Sequence, residues 1–247
     1  MSRRFIEHLH MGYEQTGKAA ALSAAAGKYL MLFSAHAHNR TGATIDMGLL
    51  KKFNSSYYSL GLLVAANTPD FTAVSDIENA TSTSLFTTTN NSGFLVQAQK
   101  TFGFIGLNVT QAQTGAPVYT YEYYNGASYT TLTTIAVPNY ASTGEKLIVF
   151  AAPRDWAVGT TATVGGVSNM YSIRVLATTA PGQDVIANSL NVCQFLHYQE
   201  GMSDNSTLSL NFPYTYPMFL ESGEGLMPYF STASANNTVT SLYMNAD

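Results

Sequence analysis

Short runs of alternating side chains, each about the length of one β-strand, recur along most of this chain with turn residues between them. Side chains alternate between the two faces of a strand, so residues 119, 121 and 123, which are all tyrosine, would share one face. No helical period is sustained between residues 71 and 198, and regularly spaced short strands are typical of sandwiches and jelly rolls. The candidate strands are residues 28–36, 43–50, 57–65, 71–77, 84–88, 93–97, 102–109, 117–124, 129–133, 146–150, 171–177, 189–198, 207–212, 217–221, 226–231 and 238–244.

The dipeptide Asn125-Gly126 directly follows the tyrosine run. Both residues tolerate positive φ angles, so the pair predicts a tight two-residue hairpin turn. Tyr129 and Leu132 would then begin the return strand. The residues interpreted as structural, in the hairpin or in the core, are Tyr121, Tyr123, Asn125, Gly126 and Trp156.

The chain is poor in charge: 11% of its residues are charged, against about 25% in an ordinary soluble domain. Its surface must therefore be covered by hydroxyls, amides and neighbouring subunits, which favours a protein of a permanent assembly. Eleven scattered Lys and Arg residues and a net charge of −4 argue against nucleic-acid binding. The alanine-rich window 19–37 contains Lys28 and is too weakly apolar to span a membrane.

Few residues here suggest cofactor chemistry. Cys193 is the only cysteine, so an internal disulfide is excluded, and its apolar neighbours predict that it is buried. Neither a Gly-x-Gly-x-x-Gly loop nor a Gly-x-Ser-x-Gly elbow occurs, and Glu224 between two glycines would repel a phosphate. The sequence therefore predicts no cofactor.

The strand pattern predicts two sandwich domains, one inserted in the other. A boundary is expected near Thr68-Pro69-Asp70, and the four short strands after residue 199 cannot bury a core alone. They would pair with the strands before the boundary. The predicted domains are an N-terminal arm (1–27), a discontinuous β-sandwich (28–67 with 199–247) and a jelly-roll domain (68–198), with short helical segments in the arm at 5–9 and 19–26.

The sequence offers candidates for a metal site, a glycosidase site and a sugar-binding site, and each candidate also has a structural explanation. His36 and His38, like His8 and His10, would lie on one side of a strand as metal ligands might, although they also suit the end of an edge strand. Glu122 with Glu145 or Asp155 could form a glycosidase pair, but sandwich strands often carry an outward glutamate. Five aromatic residues could form a sugar-binding platform: Tyr121, Tyr123, Tyr124, Tyr129 and Trp156. Packing in the core is the favoured interpretation for all five.

Four segments of the chain carry a resemblance to a known family. They are residues 102–109 (FGFIGLNV), 121–129 (YEYYNGASY), 150–156 (FAAPRDW) and 171–175 (YSIRV). Together they resemble a pattern of tailed-phage virion proteins, in which a WEYWNGxxW hairpin accompanies a PxDW turn and a YWIRV strand. The resemblance covers about residues 70–198, and this chain has tyrosine at 121, 124 and 129 where tryptophan is common.

The resemblance implies a non-enzymatic jelly-roll decoration or cement protein on the outer surface of a bacteriophage capsid. Its partners would be the major capsid protein and further copies of itself, as a homotrimer. The expected capsid contact is the arm around Arg3, Arg4 and Phe5, since flexible ends can fold onto a partner. The alternative is a tail or spike module that binds a host-surface glycan.

Overall fold

The computed structural model describes residues 6–12, 22–65, 82–159, 169–213, 215–232 and 237–246, and for 6–12 and 246 it describes the main chain. Apart from a short 3-10 helix at Ser55–Tyr57, the regular structure of these residues is β-strand. No helix among them is long and apolar enough to cross a membrane. The strands are β1 (Ile6–Gly12), β2 (Leu22–Ser23), β3 (Tyr29–His38), β4 (Ile45–Lys52), β5 (Tyr58–Leu63), β6 (Thr83–Phe86), β7 (Ser92–Ala98), β8 (Phe104–Gln111), β9 (Val118–Tyr124), β10 (Tyr129–Thr131), β11 (Thr134–Ala136), β12 (Gly144–Phe150), β13 (Val158–Gly159), β14 (Met170–Thr179), β15 (Val185–Met202), β16 (Thr207–Asn211), β17 (Met218–Leu220), β18 (Gly225–Phe230) and β19 (Thr238–Ala246).

Antiparallel sheets pack in layers, so the chain is an all-β sandwich and the predicted fold class is confirmed. The chain divides into two compact units. Unit 1 consists of residues 1–54 and 193–247, and unit 2 consists of residues 55–192. Strand β15 crosses the boundary: its first residues pair with β6 in unit 2 and its later residues pair with β4 in unit 1.

Unit 1 contains two sheets with a shared apolar core. One sheet has the strand order β1-β19-β3-β16, with β17 also paired to β3, and the other joins the end of β15 to β4, β18 and β2. Leu30 and Leu32 of β3 face inward to meet Met47 and Leu49 of β4. The pairing predicted between the strands after residue 199 and the early strands is present, since β16, β17 and β19 all pair with β3.

The loop before β18 contains a glycine with a positive φ angle and a buried glutamate. Gly223 has a φ of +80°, and an added Cβ there would lie 2.6 Å from the Asn54 amide nitrogen, so the loop requires glycine. The buried Glu224 carboxylate lies 2.5 Å from the Lys51 ammonium and accepts the main-chain N–H of Glu221. An ion pair and a hydrogen bond thus hold a buried charge, which would otherwise be costly to desolvate.

Asn39, which is fully buried, joins its own loop to the segment at residues 202–203 in unit 1. Its side-chain nitrogen lies 2.7, 3.0 and 2.9 Å from the main-chain oxygens of Ala43, Met202 and Ser203, which share its two N–H hydrogens. Its side-chain oxygen accepts both the main-chain N–H and the hydroxyl of Thr41. The amide therefore satisfies the buried Met202 carbonyl and several partly buried polar groups at once.

We expect Asn39→Ala to lower the free energy of unfolding by about 1–3 kcal/mol, because it leaves the buried Met202 carbonyl oxygen without this donor. Urea denaturation followed by circular dichroism measures the change. Asn211→Ala, at an exposed position of β16, is the control and should change stability by less than about 0.5 kcal/mol. Equal losses for the two variants would contradict the role assigned to Asn39.

Unit 2 also has two sheets. One has the order β10-β9-β14-β7-β5, with β13 paired to β14, and the other joins β11, β12, β8 and the start of β15, which also pairs with β6. Rings from opposite sheets touch: Phe86 of β6 lies edge-on to Phe94 of β7, with centroids 5.5 Å apart. The buried side chains of β7, β8, β12 and β14 complete this core.

Several local expectations differ from the structure. The short helix expected at 5–9 is wrong for its described residues, since Ile6–Gly12 forms a strand paired with β19. The helix expected at 19–26 is wrong for residues 22–26, because Leu22–Ser23 pairs with β18. The domain boundaries were expected after residues 67 and 198, whereas the two units divide after residues 54 and 192. The first boundary lies earlier because β5 pairs with β7 of unit 2. The candidate strand 71–77 lies outside the described residues.

Candidate functional site

The segments that carry the family resemblance meet in unit 2. Strands β9 and β14 are neighbours, and Glu122 lies directly opposite Arg174 in their register. The turn before β13 reaches both: the Trp156 indole N–H donates to the Ser172 carbonyl at 3.2 Å, and the Ala157 N–H donates to the Tyr124 carbonyl at 3.1 Å. We call this group of side chains the motif cluster; it consists of Glu122, Tyr123, Tyr129, Asp155, Trp156 and Arg174.

An ion pair lies on one face of the motif cluster. The Arg174 Nε and Nη2 donate to Glu122 Oε2 at 2.8 and 2.6 Å, and each side chain is about one-quarter exposed. The guanidinium carbon lies 4.1 Å from the centroid of the Tyr129 ring, within the range of a cation–π contact. The Tyr129 hydroxyl lies 3.1 Å from that of Ser172, and burial raises the pKa of Tyr129. The arginine is thus fixed by a carboxylate and by an aromatic face.

Double-mutant analysis of Glu122→Gln and Arg174→Met should give a coupling energy of about 1 kcal/mol, because the pair is well aligned but partly open to water. The coupling should fall as salt is added, since partly exposed charges are screened. Urea denaturation of the four proteins at low and high salt measures it. A coupling of zero at low salt would contradict the assigned interaction.

On the opposite side of β9, Tyr123 donates its hydroxyl hydrogen to Asp155 Oδ1 at 2.8 Å. Trp156 is buried among Phe102, Phe150 and Tyr171, with ring centroids 4.9, 6.0 and 5.5 Å away. Trp156 therefore anchors the turn in the core of unit 2 and presents no free ring face to a ligand.

The Asn125-Gly126 turn differs from the two-residue hairpin that was predicted. Tyr124 pairs with Tyr129, so four residues connect the strands, and that prediction is wrong. Gly126 has the expected positive φ, at +98°, whereas Asn125 does not. The Asn125 side chain closes the turn instead: its Oδ1 accepts the N–H groups of Ala127 and Ser128 at 3.0 and 2.9 Å.

Tyr119 and Tyr124 of β9 pack against other rings, so the tyrosines of this strand do not form one open platform. Tyr119 lies 4.6 Å from Phe86 and 5.0 Å from Tyr140, centroid to centroid, and its hydroxyl donates to Gln113. Burial raises the pKa of Tyr121 to about 12. Tyr124 on the other face is buried. The five aromatic residues weighed as a sugar platform thus lie on both sides of the hairpin, and two of them are buried.

The residues weighed for catalysis or metal binding are held by separate partners. Glu122 pairs with Arg174, whereas Asp155 accepts from Tyr123. The His36 and His38 Nδ1 atoms lie 3.0 and 2.8 Å from the hydroxyls of Ser209 and Thr207. Across the described ranges, no group of three or more His, Cys, Asp or Glu side chains could hold a metal ion. His8 and His10 lie in β1, where only the main chain is described.

Unit 1 carries a surface that the sequence interpretation did not identify as a site. Strands β3, β16, β17 and β19, four of the five in their sheet, contain no Asp, Glu, Lys or Arg. On the face away from the core, apolar side chains form a patch across three neighbouring strands, with Phe219 opposite Met31 and Met31 opposite Met244. We call this patch the apolar strip; it consists of Met31, Phe33, Phe219, Leu242 and Met244. Met31 and Phe33 are buried, Leu242 and Met244 are partly buried, and Phe219 is exposed.

The apolar strip ends at the edge of the sheet, where Phe219 of β17 is 52% exposed. The outward face of an antiparallel sheet is ordinarily polar, and edge strands ordinarily carry charges that prevent pairing with other chains. The sequence does carry a signal for the strip, because apolar residues occupy both alternating sets of β3, which is typical of a strand that is covered on both faces.

Three comparisons with known proteins give no relative from which a function could be transferred. No protein-family model, no curated protein and no solved structure matches this chain. Any functional assignment therefore depends on the chemistry of the motif cluster and the apolar strip.

Proposed function

We propose that the chain is a non-enzymatic structural protein of a virion, a decoration or cement protein that binds the outer surface of a bacteriophage capsid. The observation that carries the proposal is the apolar strip on a sheet whose strands β3, β16, β17 and β19 have no charged residue. A protein that stayed alone in water would gain solubility from charges on this face. A protein held permanently against a neutral surface would not need them.

The composition of the whole chain supports the same proposal. Charged residues make up 11% of it, so hydroxyl and amide groups must provide most of its polar surface. Interface cores are depleted in charge because each buried charge must be desolvated, whereas Met and Phe are enriched there. The apolar strip has this composition.

A cement protein stabilises a lattice by mass action. It binds the assembled shell and not the separated subunits, so the shell gains stability as binding sites are filled. In the proposed assembly the chain forms a homotrimer, and each trimer makes several contacts with the major capsid protein. Linked contacts strengthen one another, so a modest interface per chain is sufficient.

The N-terminal arm is the second part of the proposed capsid contact. Arg3, Arg4 and Phe5 lie outside the described residues, but β1 begins directly after them and pairs with β19, a strand of the apolar strip. We place the capsid contact on the strip and on this arm together. Removing residues 2–5, which leaves β1 intact, should weaken particle binding; unchanged occupancy would remove the arm from the proposal.

Copy number in purified particles of the phage that encodes the chain tests the location. Gel densitometry against the major capsid protein should give hundreds of copies per particle. A handful of copies would instead place the chain in the tail and favour the glycan-binding alternative. In that case a glycan array, read with the native chain and with Tyr123→Ala, would test the alternative directly.

A further inference from the structure

The turn between β9 and β10 holds the only Asn-Gly dipeptide of the sequence, Asn125-Gly126. An asparagine side chain followed by glycine places an amide carbon close to the next main-chain nitrogen. Attack by that nitrogen closes a five-membered ring, and glycine has no side chain to obstruct the approach. Whether a folded protein undergoes this reaction depends on how it holds the groups involved.

The turn places two hydrogen-bond donors on the oxygen that would become negative. Asn125 Oδ1 accepts the N–H groups of Ala127 and Ser128 at 3.0 and 2.9 Å. When a nucleophile adds to Cγ, charge develops on this oxygen. Preorganised main-chain N–H groups at this distance stabilise such an oxyanion, as they do in enzymes that transfer acyl groups.

Within the described part of the chain, neither the attacking Gly126 nitrogen nor the leaving Asn125 Nδ2 donates a hydrogen bond. Gly126 is exposed, so water can remove its proton. The Gly126 carbonyl is held by the Tyr124 hydroxyl at 2.9 Å, which fixes the far side of the peptide group without blocking its nitrogen.

We propose that Asn125 is a self-modification site, at which the folded chain converts its own asparagine to an acid. The Gly126 nitrogen loses its proton to solvent and forms a bond to Asn125 Cγ. The Cγ–Nδ2 bond then breaks, and the nitrogen leaves as ammonia after taking up a proton. Water opens the resulting succinimide at either carbonyl, giving aspartate or isoaspartate, with no other reactant.

The two products have different consequences for the hairpin. Aspartate keeps the acceptor for Ala127 and Ser128, and its charge strengthens both hydrogen bonds. Isoaspartate adds one methylene to the main chain, which would disturb the pairing of Tyr124 with Tyr129. Either product adds a negative charge to a chain whose formal net charge is −4. The reaction would thus mark the age of each molecule in a long-lived assembly.

The test is peptide mapping by mass spectrometry after incubation of the complete folded chain at neutral and mildly alkaline pH. Acid should accumulate at Asn125 roughly tenfold faster than at Asn205, which precedes a serine, because glycine leaves the nitrogen open and the two N–H groups stabilise the oxyanion. The rate should rise with pH, since the attacking nitrogen must lose a proton. Both aspartate and isoaspartate should form.

The same chain unfolded in urea separates assistance by the turn from simple sequence reactivity. We expect the folded chain to react at least as fast as the unfolded chain. If Asn125 stays intact in the folded chain while it reacts in urea, the turn protects the residue and the proposal is overturned.

Two variants serve as controls. Asn125→Gln should show no accumulation, because attack would have to close a six-membered ring, and accumulation at the native rate would overturn the mechanism. Asn125→Asp reproduces one product and should keep the melting temperature and circular dichroism of the native chain. A large loss of stability in this variant would contradict the claim that the aspartate form retains the turn.

Discussion

Replacing Gly93 by alanine is expected to lower the free energy of unfolding by more than about 3 kcal/mol, because overpacking forces the main chain apart. Gly93 lies in β7, between Leu63 of β5 and Leu176 of β14. A Cβ at this position would overlap the Val175 carbonyl oxygen and lie 2.9 Å from its carbon and 3.0 Å from Leu176 Cα. These are main-chain atoms of a central strand, so no side chain can move aside to make room. Thermal denaturation of the purified variant measures the loss.

Gly144→Ala is the matched control for this experiment. Gly144 has a φ of +95°, but nothing lies within 4 Å of the position its Cβ would take. The control should therefore lose only the cost of a left-handed alanine, about 1–2 kcal/mol. If Gly93→Ala is no less stable than Gly144→Ala, the close approach of β7 and β14 is not what the structure indicates.

Trp156→Ala should lower the free energy of unfolding by about 3–5 kcal/mol, the usual cost of removing a large buried aromatic side chain. The indole fills the space between Phe102, Phe150 and Tyr171 and donates to the Ser172 carbonyl. Its loss would leave a cavity and an unpaired acceptor, and would release the turn that brings Asp155 to Tyr123. Urea denaturation followed by circular dichroism measures the effect.

Trp156→Phe divides this effect into its parts. The variant keeps an aromatic ring but loses the indole N–H, so it should cost about 1–2 kcal/mol. A loss as large as that of the alanine variant would mean that the hydrogen bond, rather than the packing, dominates. No loss in either variant would contradict the role of Trp156 as the anchor of the motif cluster.

The strand pattern could be predicted because it depends on alternation, which each segment carries by itself. The runs at 93–97, 207–212 and 238–244 correspond to β7, β16 and β19. Strands β2, β11 and β13 were not predicted, because each has only two or three residues and too few alternating positions to show a period. Strand β1 was missed because its mixed charge and two histidines hide its pairing with β19.

Long-range contacts could not be predicted in the same way. The resemblance indicated which segments belong to one motif, but not that Arg174 would pair with Glu122 and cover Tyr129. The turn at Asn125 was predicted from its dipeptide, yet its length depends on the register of Tyr124 with Tyr129, which the whole sheet determines. The need for glycine at position 93 likewise arises from a neighbouring strand distant in sequence.

The apolar strip could be predicted from the sequence only in part. Apolar residues in both alternating sets of β3 indicate that both of its faces are covered, but they do not indicate which strands lie beside it. Phe219 joins Met31 and Met244 only because β17 and β19 pair with opposite edges of β3. The same pairing brings the start of the chain, through β1, to the sheet that carries the strip. We therefore propose this sheet as the face that meets the capsid.

The most direct test adds the purified chain back to phage particles that lack it and follows particle melting by calorimetry. The native chain should raise the melting temperature of the particles, and Phe219→Asp should fail to do so while its own melting temperature stays near native, since Phe219 is exposed. Val158→Asp, at an exposed apolar position of unit 2, should act like the native chain. If Phe219→Asp binds and stabilises the particles as well as the native chain does, the apolar strip is not the docking face and the account is contradicted.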